Sequence, residues 1–179
     1  MTDYTFYTLE TAPDESKEML QQIKAGYGFI PNLFAYMAEA PTTLEAYLAL
    51  NQLIENTSFT PAQQQVALLA ASVENECEFC TVAHRAIGKM KQSKQQSLDA
   101  LSSNNKIEDL QDAALAEFIR TVVKERGRPG EAAVDQFLAA GFTKQQIFES
   151  MLVVSIKTLS NYINHLTLPE PNAELQSML

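Results

Sequence analysis

Residues 60–84 read TPAQQQVALLAASVENECEFCTVAH. Thr60-Pro61 is a helix start: a threonine N-cap with proline at the first helical position, where the missing N–H would be unpaired anyway. Val66, Leu69, Ala70 and Val73 follow at helical spacing as one apolar stripe, which predicts a helix to about Asn75. Cys77 lies between that helix and the next, expected over about Glu78–Met90, and Cys80 falls in the new helix's first turn. His84 comes four residues after Cys80, one turn on and on the same face. These are the chain's only two cysteines and one of its two histidines. Chance would space two cysteines C-x-x-C about once in 90, so the pair reads as a redox couple or as half a metal site.

The rest of the chain is also helical in pattern. Of its 179 residues 46% are hydrophobic and 20% charged, ordinary values for one domain with a real core. Helices are expected over Asp14–Lys24 (broken by Gly26 and Gly28), Pro31–Ala40 and Pro41–Asn56. A short helix capped by Ser93 should run to Leu101, and helices over Glu108–Glu125, Glu131–Ala140 and Lys144–Leu166 follow the polar loop 102–106. Gly141 is a candidate C-cap and Thr143 a candidate N-cap. The last long helix is apolar nearly all round from Ile147 to Leu159, which calls for burial in the core or in a subunit interface. Pro169–Leu179, within a tail at 167–179, reads as a loosely attached end. The expectation is a single all-α domain over 1–179, of mostly antiparallel helices, with its core motif at 60–90.

Charge and hydropathy exclude several classes. A net charge of −9 disfavours nucleic acid and anionic membrane surfaces as partners. No segment approaches about 18 consecutive apolar residues, and the opening Met1-Thr2-Asp3-Tyr4 shows no secretory pattern. A cytoplasmic location is expected, where a C-x-x-C is catalytic or metal-binding more often than a permanent staple.

At the pair itself, backbone N–H groups of a helix N-terminus favour a thiolate at Cys80. His84 can accept the thiol proton and then stabilise the thiolate as imidazolium. Cys77 is placed to attack whatever Cys80 becomes and close a disulfide. Glu74, Glu76 and Glu78 work against a thiolate, with Arg85 as a partial offset. The zinc alternative would need Cys77, Cys80, His84 and His165 together, since the chain has no other Cys or His. For His165 taken alone, a helix-end histidine favoured by the dipole is the simpler reading.

The stretch Thr60–His84 resembles the core motif of the carboxymuconolactone decarboxylase/alkylhydroperoxidase D superfamily, closest to its peroxidase-related branch. Gly28-Phe29-Ile30-Pro31-Asn32-Leu33-Phe34 and Lys157-Thr158-Leu159-Ser160-Asn161-Tyr162-Ile163-Asn164-His165-Leu166 resemble that branch too. The resemblance implies an all-helical trimer or hexamer acting as a thiol-dependent peroxidase without metal or haem. Carried over by position, Cys80 is peroxidatic, Cys77 resolving, and His84 part of a proton relay. Electrons would come from an external dithiol, such as a lipoyl-type protein. One position departs from the pattern: Gln65 stands where the family has its relay glutamate, and an amide cannot shuttle a proton. Glu74 is the candidate substitute. The alternative is a redox sensor or disulfide reductase of the same fold with little peroxidase turnover.

Overall fold

The structure, a computed structural model, describes residues 3–179. Met1 and Thr2, which open the expected 1–179 domain, lie outside the described residues. Among the described residues all regular structure is helical. In chain order the helices are α1 (Asp14–Tyr27), α2 (Asn32–Met37), α3 (Pro41–Glu55), α4 (Pro61–Glu74) and α5 (Glu78–Met90). They continue as α6 (Gln95–Ser102), α7 (Leu110–Lys124), α8 (Gly130–Ala139), α9 (Lys144–Thr167) and α10 (Ala173–Gln176).

α4 is the central helix. Thr60 caps it with a reciprocal capping box, its hydroxyl accepting from the Gln63 N–H while the Gln63 side chain accepts from the Thr60 N–H. Every residue from Gln64 to Ser72 is buried, so the helix is enclosed on all sides rather than along one stripe. The reason is size: Ala67, Ala70 and Ala71 let neighbouring backbones come close on the faces that the stripe left out. α5, α6, α7 and α9 all pack on it. Gly88 serves the same purpose on α5, since a Cβ there would lie 2.9 Å from Leu98 Cδ2 and 3.4 Å from Gln65 Cβ. Between α7 and α8, Phe137 is stacked between Phe118 and Phe142, with centroids 4.3 and 4.4 Å away.

Two local expectations need correction. Ser93 does not cap α6. Lys94 occupies that position with no side-chain cap, and the Ser93 hydroxyl donates instead to the Ala62 carbonyl, tying the α5–α6 turn to α4. The C-terminal tail is anchored rather than loose. Leu175 is buried, Asn172 and Asn32 exchange hydrogen bonds, and Lys89 donates to the main-chain oxygens of Met178 and Leu179. From Ile147 to Leu159 α9 is buried or half-buried apart from Phe148 and Ser155. Phe148, Tyr162 and Leu166 are exposed, while its inward face carries Lys157, Ser160, Asn161 and Asn164. The second half of α9 is thus inverted, polar inside and apolar outside. A helix accepts that arrangement only if the polar groups find partners within the core.

Candidate functional site

For Lys157 and Asn164 those partners are His84 and the two cysteines. α4 ends at Glu74, and the chain reverses through Glu76, whose φ of 55° is left-handed. The Cys77 N–H bonds to the Ser72 carbonyl at 2.9 Å, which fixes Cys77 as the N-cap of α5. Asn75 Nδ2 donates to Asn161 Oδ1 at 2.9 Å, docking this turn onto α9. Cys77 and Cys80 are free thiols, each only 2% exposed. Asn164 Nδ2 reaches both sulfurs, at 3.4 Å from Cys77 and 3.3 Å from Cys80.

His84 is buried between α4 and α9. Its Nδ1 lies 3.0 Å from Gln65 Oε1 and its Nε2 lies 2.9 Å from Lys157 Nζ. An ammonium can only donate, so Nε2 accepts from Lys157 and Nδ1 carries the hydrogen given to Gln65. The ring is therefore the neutral Nδ1–H tautomer. Burial, and then the Lys157 charge, hold its pKa well below the usual imidazole value. The His84 ring thus meets Gln65 and Lys157, and neither of its nitrogens has a hydrogen bond to a cysteine sulfur.

Lys157 is the residue the sequence reading missed. It is completely buried, and among the described residues no carboxylate forms an ion pair with it. An uncompensated buried ammonium is costly. Its available counter-charge is the Cys80 thiolate. The Cys80 pKa is pulled down to about 5, first by the hydrogen bond from the Cys77 thiol, then by the charge and hydrogen bond of Lys157 and by the Ser160 hydroxyl, against a burial cost. Cys77 moves the opposite way, raised by its hydrogen bond to Cys80 and by burial. Tyr47 of α3 is buried against the same site, and its phenol is kept protonated by burial and by the Cys80 charge. The signal for Lys157 was available in principle: it is the only cation inside the apolar run from Ile147 to Leu159.

The other named residues fall elsewhere. Glu74 turns to Arg120 of α7, with 2.9 Å between Oε2 and Nε, and so takes no part in a relay at His84. Arg85 does not offset the glutamates, because it pairs with Asp99 of α6 at 2.8 Å. His165 is exposed and stacks on Tyr162, with centroids 6.0 Å apart. The four donors required for zinc are not gathered, and no cluster of three or more His, Cys, Asp or Glu able to hold a metal occurs among the described residues. A groove of about 260 Å³ opens on the Cys77 side, with Asn164 and His165 in its wall.

Two buried free cysteines at the start of α5, with His84 and a buried lysine behind them, form the arrangement against which known structures can be compared. A peroxidase-related protein from Ralstonia eutropha JMP134, described as an alkylhydroperoxidase AhpD core, superposes with a TM-score of 0.85 at 23% identity, over 98% of this chain and 96% of that one. The fold is that of the alkylhydroperoxidase D core. A peroxidase-related protein from Silicibacter sp. TM1040 is similar to the chain at a TM-score of 0.79 and 23% identity, over 98% and 95% of the two chains. The debrominase Bmp8, in a cysteine-to-alanine form holding 2,3,4-tribromopyrrole, superposes at 0.79 with 15% identity, over 99% and 96%. No family model and no curated protein matches this sequence. The AhpD-like fold seats the C-x-x-C at the start of α5, against the inverted face of α9. No helix among the described residues is long and apolar enough to cross a membrane.

Proposed function

We propose that the protein is a thiol-dependent peroxidase that reduces hydroperoxides through Cys80 and Cys77. The observation that carries this reading is Lys157, a fully buried lysine that holds His84 at 2.9 Å and has no carboxylate partner among the described residues, beside a C-x-x-C pair whose Cys80 its charge favours as thiolate. Cys80 thiolate attacks the terminal peroxide oxygen, the O–O bond breaks, and the sulfur is oxidised to a sulfenic acid. The departing alkoxide takes a proton from the Lys157 ammonium, which regains it from solvent as the cycle closes. The Cys77 sulfur then attacks the sulfenic sulfur, its proton leaves with the hydroxyl as water, and a disulfide results. Two electrons from an external dithiol restore the pair. His84 and Gln65 position Lys157 rather than relay a proton, consistent with an amide at Gln65.

The assembly is proposed to be a homo-oligomer in the cytoplasm. The apolar outward face of α9, with Phe148, Tyr162 and Leu166, supports self-association. The test of the chemistry is stoichiometric. One equivalent of peroxide added to metal-free protein should remove two thiols with no intermolecular cross-link, and Cys80→Ser should abolish the reaction. Retention of both thiols would sink the proposal. Gln65 and the neutral His84 favour one second reading, a disulfide reductase or redox sensor of the same fold. It predicts an oxidisable pair with little turnover on peroxide.

A further inference from the structure

Neither sulfur is open to bulk solvent, but the two are not equivalent toward the groove. Its wall contains Cys77 and not Cys80. The inner cysteine is the ionised one, and the outer cysteine is the one a large molecule can approach. We infer that the reducing thiol enters the groove beside Cys77 and attacks the Cys77 sulfur of the oxidised pair, expelling Cys80, so that the mixed disulfide is carried on Cys77. This rests on the dithiol reading of the pair but not on peroxide as the oxidant.

The chemistry supports that direction. Thiol–disulfide exchange is faster when the departing sulfur has the lower pKa. The Cys80 sulfur departs toward the Lys157 ammonium and the Asn164 Nδ2 donor, so it leaves as a stabilised thiolate. Attack at Cys80 would instead expel Cys77, whose thiolate is disfavoured. In balance, the incoming thiolate forms a bond to the Cys77 sulfur while the Cys77–Cys80 bond breaks and its electron pair stays on Cys80. The second thiol of the reductant loses its proton and attacks the reductant's own sulfur in the mixed disulfide. Cys77 leaves and takes up a proton. The reductant is oxidised by two electrons to its disulfide.

The groove also states what kind of thiol it admits. Asn164 lies in its wall, 3% exposed, and its Oδ1 has no hydrogen-bond partner. Glu76, Glu78 and Glu170 surround the opening, and neither Lys nor Arg lines it. A neutral or cationic dithiol is favoured over an anionic one.

The test uses wild-type protein oxidised beforehand with diamide, so it is independent of peroxide turnover. The oxidised protein is mixed at low salt with cysteamine, 2-mercaptoethanol or 3-mercaptopropionate, with rates expressed per thiolate. Samples are quenched in acid, free thiols are blocked with N-ethylmaleimide, and the adduct is located by peptide mass spectrometry. The expected result is the thiol adduct on Cys77 with Cys80 blocked. Rates should fall in the order cationic, neutral, anionic, by about tenfold across the series, and the spread should shrink at high salt. Glu76→Gln combined with Glu170→Gln should flatten the series as well. An adduct on Cys80, equal amounts on both cysteines, or rates indifferent to charge would overturn the inference. Should peroxide fail to oxidise the pair while this result holds, only the proposed oxidant is wrong.

Discussion

Replacing Lys157 by methionine tests whether a buried lysine makes the nucleophile. Methionine keeps most of the length and removes the charge. At roughly 4 Å and an effective dielectric of about 20, a unit charge pair is worth about 4 kcal/mol, or roughly three pH units at about 1.36 kcal/mol each. That is a ceiling, because the largest cause of the low Cys80 pKa is the Cys77 hydrogen bond, and it survives the substitution. The Cys80 midpoint should therefore rise from about 5 to between about 6 and 8. The assay is the pH dependence of iodoacetamide alkylation, with Cys80 followed by mass spectrometry. A higher pKa lowers the thiolate fraction but raises the nucleophilicity of each thiolate. The two rate profiles should therefore cross, with the variant about tenfold slower near pH 5 and faster near pH 9. Folding should be retained, since an apolar side chain replaces an ion and the cysteine can take a proton. An unmoved midpoint in a folded variant would refute the reasoning, because the ammonium would then have some other counter-charge.

Gln65→Glu places a carboxylate against His84 and beside the Lys157 partnership, so the same alkylation profile should shift upward by about one unit. A downward shift would mean that a glutamate relay is what the site lacks. Stability should also depend on pH in a signed way. Cys80 is depressed to about 5, while an unfolded cysteine titrates near about 8.5. Its contribution is thus full above the unfolded value and is lost as pH falls through the folded one. In urea denaturation of reduced protein, the gap between wild type and Cys80→Ser should widen from pH 5 to pH 8. His84, buried and neutral, adds a loss on acidification below about 6.5 to both proteins and cancels from that difference. Phe137→Ala opens a hole in a three-ring stack and should cost about 3–5 kcal/mol by urea denaturation, with the Cys80 alkylation midpoint unchanged. Finally, Phe148→Lys combined with Tyr162→Lys should lower the mass seen by light scattering if the outward face of α9 joins subunits. An unchanged mass would place the contact elsewhere.

Much of the fold could be read from residues 60–90, because its signals are local. The threonine cap with Pro61, the break at Asn75 and the restart at Cys77 are each decided by a few neighbouring residues, and α4 and α5 begin and end close to where that pattern puts them. What could not be read depends on contacts between distant segments. Glu74 appeared available as a relay because Arg120, its partner, lies 46 residues away. The tail from Pro169 is short on periodic apolar positions, yet Leu175, Asn172 and the chain end are held by α5 and by Asn32. The polar inward face of α9 was hidden for a related reason. The helix's hydropathy describes how much of it is apolar, whereas its role depends on which face turns inward.

That inverted face connects Gln65, the one departure from the resembled pattern, with Lys157. A glutamate at position 65 together with a lysine at 157 would form a buried ion pair through His84, and Cys80 would compete with that carboxylate for the ammonium. With an amide at 65, the ring still has an acceptor for its Nδ1–H, so His84 keeps its tautomer and holds Lys157 at 2.9 Å without carrying charge itself. The ammonium is then left with the cysteine sulfur as its counter-charge. Read singly, Gln65 weakens a proton relay. Read with Lys157, the same amide puts no carboxylate in competition with the Cys80 sulfur for the ammonium, which is the condition the proposed thiolate nucleophile requires.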